Sequence, residues 1–359
     1  MTSMGTSRVD DIELPQRPKS LSLRAGDVVE VKTLEEITAT LDDQGCLDGL
    51  PFMPEMVKFC GRQLRVFKSA HKTCDTIDKT GGRTMRNAVH LEDVRCDGAA
   101  HGGCQAACLI FWKESWLRKV EPNAAAPAAG PAGGAALPSK LAQGVYQPGS
   151  SGAETDPRYR CQTTELTKAT GPLPWWDIRQ YARDFASGNV SLGEIARVFV
   201  FAAFRKLVQL GVGYRILIGL YDGFQRLRGG RPYPVRTGML QKTPKASLDL
   251  VPGEWVRVKS HEEILATLDT NNKNNGLSFD VEMVRFCGGI YRVERRVTRI
   301  IEEKNGRMLQ IKNPCIILTH VYCRAELSER RLFCPRAIFP YWREIWLERV
   351  APPAGQLNA

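Results

Sequence analysis

LRAGDVVEVKTLEEITATLD (residues 23–42) and LVPGEWVRVKSHEEILATLD (residues 250–269) are one passage written twice. The match continues as GLPFMPEMVKFCGRQLRV (49–66) against GLSFDVEMVRFCGGIYRV (276–293). It resumes as FWKESWLRKV (111–120) against YWREIWLERV (341–350). Agreement over this length reads as an internal duplication, with one module at 23–122 and another at 250–352.

Each copy reads in the same order. GDVVEVK and GEWVRVK alternate apolar and polar residues, the period of a half-buried strand. Thr33 with Glu36, and Ser260 with Glu263, have capping-box spacing, so a short helix follows each strand and ends at Asp42 or Asp269. GRQLRVFKSAHKT and GIYRVERRVTRII are second strands, and NAVHLEDVRC and NPCIILTHVYC are third strands. The glycines of KTGGR (79–83) and KNG (304–306) mark the turns between them. Trp112 with Trp116, and Trp342 with Trp346, have a spacing that puts both rings on one helix face. An opening G-[DE]-x-V-x-V strand followed by several short strands resembles an SH3-like small β-barrel. The resemblance implies an α+β chain of two such barrels with short helical insertions. It implies no activity, because barrels of this kind host unrelated functions.

The copies are separated by two kinds of sequence. Residues 123–157, with AAAPAAGPAGGAALP and QPGSSGAETDP, have the composition of a flexible linker. Residues 158–249 read as helical: TTEL as a first cap, then WWDIRQYARDFASGN, SLGEIARVFVFAAFRKLVQL and YRILIGLYDGFQRL, with Gly211 and Gly213 as a break. Residues 1–22 and 353–359 are tails. The net charge of +11 is uneven. The first module has 14 basic and 15 acidic residues and the second 17 and 13, whereas residues 123–249 have 16 and 8. The surplus includes Arg197, Arg205, Lys206, Arg215, Arg226 and Arg231. Apolar helices studded with arginine have two readings: a hairpin packed on the barrels with a solvated basic face, or a surface for a protein partner, an anionic membrane or nucleic acid. A spanning helix is not expected, since no stretch of 18 uncharged apolar residues exists. The opening MTSMGTSRVDDIELPQRPKS has no apolar core and no cleavage site, so the expectation is a cytoplasmic chain with reduced thiols.

Eleven cysteines carry the chemistry. Cys96, Cys104 and Cys108 share the Gly-rich loop CDGAAHGGCQAAC with His101, and His71 and Cys74 lie on the preceding strand. Pairing across the KTGGR turn would bring Cys74 to Cys96, gathering Cys74, Cys96, Cys104 and Cys108, with His71 and His101 at the rim. Four soft ligands suit zinc or an iron–sulfur cluster, and glycines that free backbone N–H groups for sulfur lean toward the cluster. A weaker second site is offered by Cys287, Cys315, Cys323 and Cys334, where RAELSERRLF replaces the glycines. Cys60 and Cys287 read equally well as core residues, while Cys46 and Cys161 stand apart from both sets.

The sequence therefore supports an intracellular metal-binding protein with a structural, redox or sulfur role. It leaves open a basic interaction module, and a thiol- or metal-dependent enzyme using the Cys74–Cys108 region, with His71–Cys74 or His101–Cys104 as base and nucleophile. It contains no P-loop, G-x-S-x-G, H-E-x-x-H or dinucleotide fingerprint.

Overall fold

The alternation in Val28-Val29-Glu30-Val31 becomes strand β1 (Val28–Val31), with Val29 and Val31 fully buried. The structure is a computed structural model that describes residues 20–120, 137–211 and 213–353 of the 359-residue chain. Thr33 caps helix α1 (Leu34–Thr38): its Oγ1 accepts from Glu36 N at 3.2 Å, and Glu36 Oε2 accepts from Thr33 N at 3.0 Å. The helix stops short of Asp42. The hydroxyls of Thr38 and Thr40 donate back to the carbonyls of Leu34 and Ile37, and Asp42 Oδ1 accepts from the amides of Gln44 and Cys46. Such local side-chain bonds compete with the helical ladder.

A small ladder of β2 (Cys46–Leu47) and β3 (Leu50–Pro51) leads into a 3-10 helix, Pro54–Phe59. Then come β4 (Gln63–Ser69), β5 (Lys72–Cys74), β6 (Gly82–Thr84), β7 (Ala88–Arg95), β8 (Leu109–Lys113) and β9 (Leu117–Lys119). Five of these form an antiparallel sheet in the order β8-β7-β4-β1-β9. Trp112 lies in β8 and Trp116 ends a 3-10 turn, so the expected shared helix face does not form. Both rings are fully buried and meet edge-on at Phe52, with centroids 6.2 and 5.3 Å away.

Residues 1–19, 121–136 and 354–359 lie outside the described residues, and with them most of both expected tails and the Ala/Gly/Pro part of the expected linker. The linker from 137 onward has structure of its own. Helix α2 (Ser139–Gln143) buries Leu141 in the first core, and Tyr146 bridges to Tyr159. Next come α3 (Leu166–Ala169), then β10 (Gly171–Leu173), which adds to β6. The helical part proper is α4 (Arg179–Ala186), α5 (Leu192–Gln209) and α6 (Tyr214–Leu227), with Gly213 at φ +64° where α6 starts.

The second copy has β11 (Trp255–Val258), α7 (His261–Leu265), β12 (Lys273–Asn274), β13 (Leu277–Ser278), a 3-10 helix at Val281–Phe286, β14 (Ile290–Ile301), β15 (Met308–Leu318) and β16 (Leu347–Arg349). Its sheet runs β15-β14-β11-β16, and the bridge between Ile316 and Trp342 marks the place of β8. Val66 pairs with Leu91 and Lys68 with His90; 227 residues on, Val293 pairs with Leu318 and Arg295 with Ile317. Trp342 and Trp346 are fully buried and meet Phe279 edge-on at 6.2 and 5.4 Å. The fold is thus α+β, with two half-barrel antiparallel sheets and few helices. The long β14–β15 hairpin reaches past its own sheet to the glycine loop of the first.

Candidate metal centre

Cys96 follows the last residue of β7 and Cys108 precedes the first of β8. The bond from Cys96 N to Cys108 O, 2.9 Å, ties the loop closed at its base. Inside it, the amides of His101 and Gly103 both donate to Gly98 O, at 3.0 and 2.9 Å. Gly98 has φ +71°, and a Cβ there would run into the Cys104 carbonyl, so this turn requires glycine. The folded loop turns Cys96, His101, Cys104 and Cys108 toward one cavity, with about 40 Å³ of room for water. Cys161, from the segment after the linker, closes the ring. Gln162 holds that segment in place: its Oε1 accepts from Phe111 N at 2.8 Å, and its Nε2 donates to Phe111 O at 2.9 Å. Ile301, at the end of β14, forms the far wall and donates its backbone N–H to Cys104 Sγ at 3.4 Å.

Burial governs three of these thiols. It raises the pKa of Cys96, with the nearby Glu55 carboxylate adding to the effect, and it raises that of Cys161. Burial pushes Cys108 up to about 12. Without a cation the protons stay on sulfur, and a bound soft metal reverses that preference by binding the thiolates. No three of these sulfurs lie within 4.8 Å of one another; they stand around the cavity instead of on one point.

Glu55 sits in the 3-10 helix below the loop. Its Oε1 accepts from His101 Nδ1 at 2.6 Å and from Ala100 N at 3.1 Å, while its buried Oε2 has no hydrogen-bond partner. His101 Nε2 faces the Arg160 carbonyl at 3.0 Å. Ligand atoms of Glu55, Cys96 and His101 all lie within 4.8 Å of one another, the one such trio of metal-binding side chains among the described residues. An ion there would displace one of the bonds now clamping the imidazole.

The other expected ligands go elsewhere. Cys74 does not join Cys96, because β4 pairs with β7 directly. Cys74 ends β5, which pairs across the turn with β6 and sets Cys74 opposite Gly82, whereas Cys96 follows the far end of β7. Cys74 instead faces Cys334, whose hydrogen bond lowers its pKa to about 6 against the cost of burial, with Arg336 and Arg331 assisting. His71 Nε2 stands 3.3 Å from Asp184. Of the expected set of Cys287, Cys315, Cys323 and Cys334, Cys323 and Cys334 line one cavity and the other two do not join them. Cys287 packs in the second core, where burial pushes its pKa up to about 12. Cys315 lies under Arg343, with Nη1 3.5 Å from its sulfur. The even spacing of Cys315 and Cys323 loses its meaning because β15 ends at Leu318 and His320 turns the chain with φ +60°.

Two residues of the site escaped the sequence reading. Cys161 gives no signal there, since what places it is the docking of its segment on β8. Glu55 does give one: an acid in an otherwise apolar run that recurs as Glu282 in the second copy. Comparison of the chain with protein-family models, with curated proteins and with solved structures finds no match in any of the three.

Proposed function

We propose that the chain is an intracellular iron–sulfur protein whose cluster is held by Cys96, Cys104, Cys108 and Cys161, on a scaffold of two duplicated SH3-like modules. The observation that carries this reading is that four cysteines, from two separate stretches of chain, line one cavity. A single zinc holds thiolates at about 2.3 Å, which sets neighbouring sulfurs only about 3.8 Å apart. The wider ring favours a polynuclear centre. The amide of Ile301, aimed at Cys104 sulfur, is the kind of contact that tunes cluster potential. Bound there, a cluster supplies one-electron transfer; the chain supplies burial, sulfur ligation and the Glu55–His101 clamp that holds the loop in shape.

Protein purified without oxygen is expected to be brown, with iron and acid-labile sulfide in equal amounts. Cys161→Ser removes the share of both that belongs to this cavity, while Glu55→Gln leaves it bound. Colourless protein with one zinc per chain, lost in Glu55→Gln and kept in Cys161→Ser, overturns the reading in favour of an ion at Glu55, Cys96 and His101.

A second reading concerns the helices. No residue of α6 is buried, and Ile216, Leu220, Phe224 and Leu227 are exposed, as are Leu192 and Val200 of α5. No helix among the described residues is long and apolar enough to cross a membrane. An apolar face beside Arg215, Arg226 and Arg228 fits in-plane attachment to an anionic bilayer, independently of any metal.

A further inference from the structure

The site proposed above has a counterpart across the molecule. A second cavity, with about 200 Å³ of room for water, is lined by Cys74, Cys323 and Cys334 together with Arg331, Arg336 and Glu282. Cys323 and Cys334 occupy in the second copy the places of Cys96 and Cys104 in the first. Glu282 occupies the place of Glu55 and does the same work. Its Oε1 accepts from Leu327 N at 2.6 Å and from Ser328 Oγ at 3.1 Å, where Glu55 accepts from Ala100 and His101. Its Oε2 is likewise buried without a partner.

The third thiol comes from the other module. At the 227-residue spacing of Cys60 and Cys287, Cys74 corresponds to Ile301, the residue whose amide meets Cys104. Each hairpin therefore reaches into the cysteine loop of the opposite copy, and the second cavity gains a sulfur where the first gains an N–H. At the same spacing Thr76 corresponds to Glu303, and these two side chains hydrogen-bond to each other. Arg336 holds both, with Nη1 2.8 Å from Thr76 Oγ1 and Nη2 2.7 Å from Glu303 Oε1. Glu303 lines the first cavity and Arg336 the second, so this pair is a shared wall.

We infer that the second cavity holds an iron–sulfur centre of its own, ligated by Cys74, Cys323 and Cys334 and with one metal position free of protein thiolate. Three thiolates facing one cavity need positive charge nearby, and Arg331 and Arg336, which line it, supply that charge. With no fourth cysteine lining the cavity, the remaining position is open to a small oxygen or nitrogen donor. The choice of iron and sulfide rests on the reading of the first site, whereas the ligand set does not.

The test is iron and acid-labile sulfide per full-length chain, after anaerobic purification and reconstitution with ferrous iron and sulfide. The expected content is that of two centres. Cys74→Ser and Cys334→Ser each remove one share and leave the visible absorption of the other; Cys161→Ser removes the complementary share, and Cys74→Ser/Cys161→Ser removes both. The absorption that persists in each single variant reports that the chain still folds. Full metal content in both Cys74→Ser and Cys334→Ser, or a Cys74–Cys334 disulfide in the anaerobic protein, overturns the inference. Loss of metal in Cys74→Ser together with full metal in Cys161→Ser leaves this second centre standing and removes the first.

Discussion

His90 is fully buried in β7, with Nδ1 2.9 Å from the Ile110 carbonyl, and burial lowers its pKa to about 3. The unfolded chain binds a proton on this ring near pH 6.5 and the folded chain does not. Its contribution to stability is therefore complete above 6.5 and falls by about 1.4 kcal/mol per pH unit as the pH drops toward 3. Urea midpoints measured from pH 7 to pH 4 should decline, and His90→Gln should flatten that decline. The same scale shows why the candidate site was only partly legible. His101, Cys96, Cys104 and Cys108 lie in 13 consecutive residues, so local spacing exposes them. Cys161 and Cys74 reach their cavities through contacts between distant segments, and nothing in their own neighbourhood announces it.

Elements follow the sequence where local rules suffice. The β1 alternation and the Thr33–Glu36 and Ser260–Glu263 caps read directly. The Trp-x3-Trp segments do not, because a strand followed by a 3-10 turn brings the rings together as effectively as a helix would. Trp112→Ala should cost about 4 kcal/mol in urea unfolding, since it empties the centre of the first core. For the α5–α6 hairpin, flotation is expected with vesicles containing phosphatidylserine and not with phosphatidylcholine alone. Leu220→Ser/Leu227→Ser should reduce it without moving the unfolding midpoint, because both side chains are already exposed.

At the scale of the whole molecule the two copies are joined through polar as well as apolar contacts. Gln105 Oε1 accepts from Thr298 N at 2.7 Å, and Gln105 N donates to Arg299 O at 3.1 Å. The Arg95 guanidinium stacks 3.8 Å over Phe339 and donates to the Ala337 carbonyl. Arg336 is the most exposed to test, because it is buried and holds one residue from each copy. Arg336→Met should destabilise the fold by about 3 kcal/mol, chiefly by leaving Glu303 unpaired, and should weaken metal retention in both cavities. Calorimetry and metal analysis on the same sample check the two effects together.

The exchanged hairpins also set a timetable for biosynthesis. Cys74 leaves the ribosome long before Cys334, and the Cys96–Cys108 loop long before Ile301. A nascent chain thus carries these thiols with no walls around them: the first compartment closes once Ile301 and Glu303 have emerged, and the second only once translation has passed the second cysteine loop. Under the proposed ligation, loading is for that reason a late event, and a truncation anywhere ahead of Cys334 orphans thiols at the other end of the polypeptide.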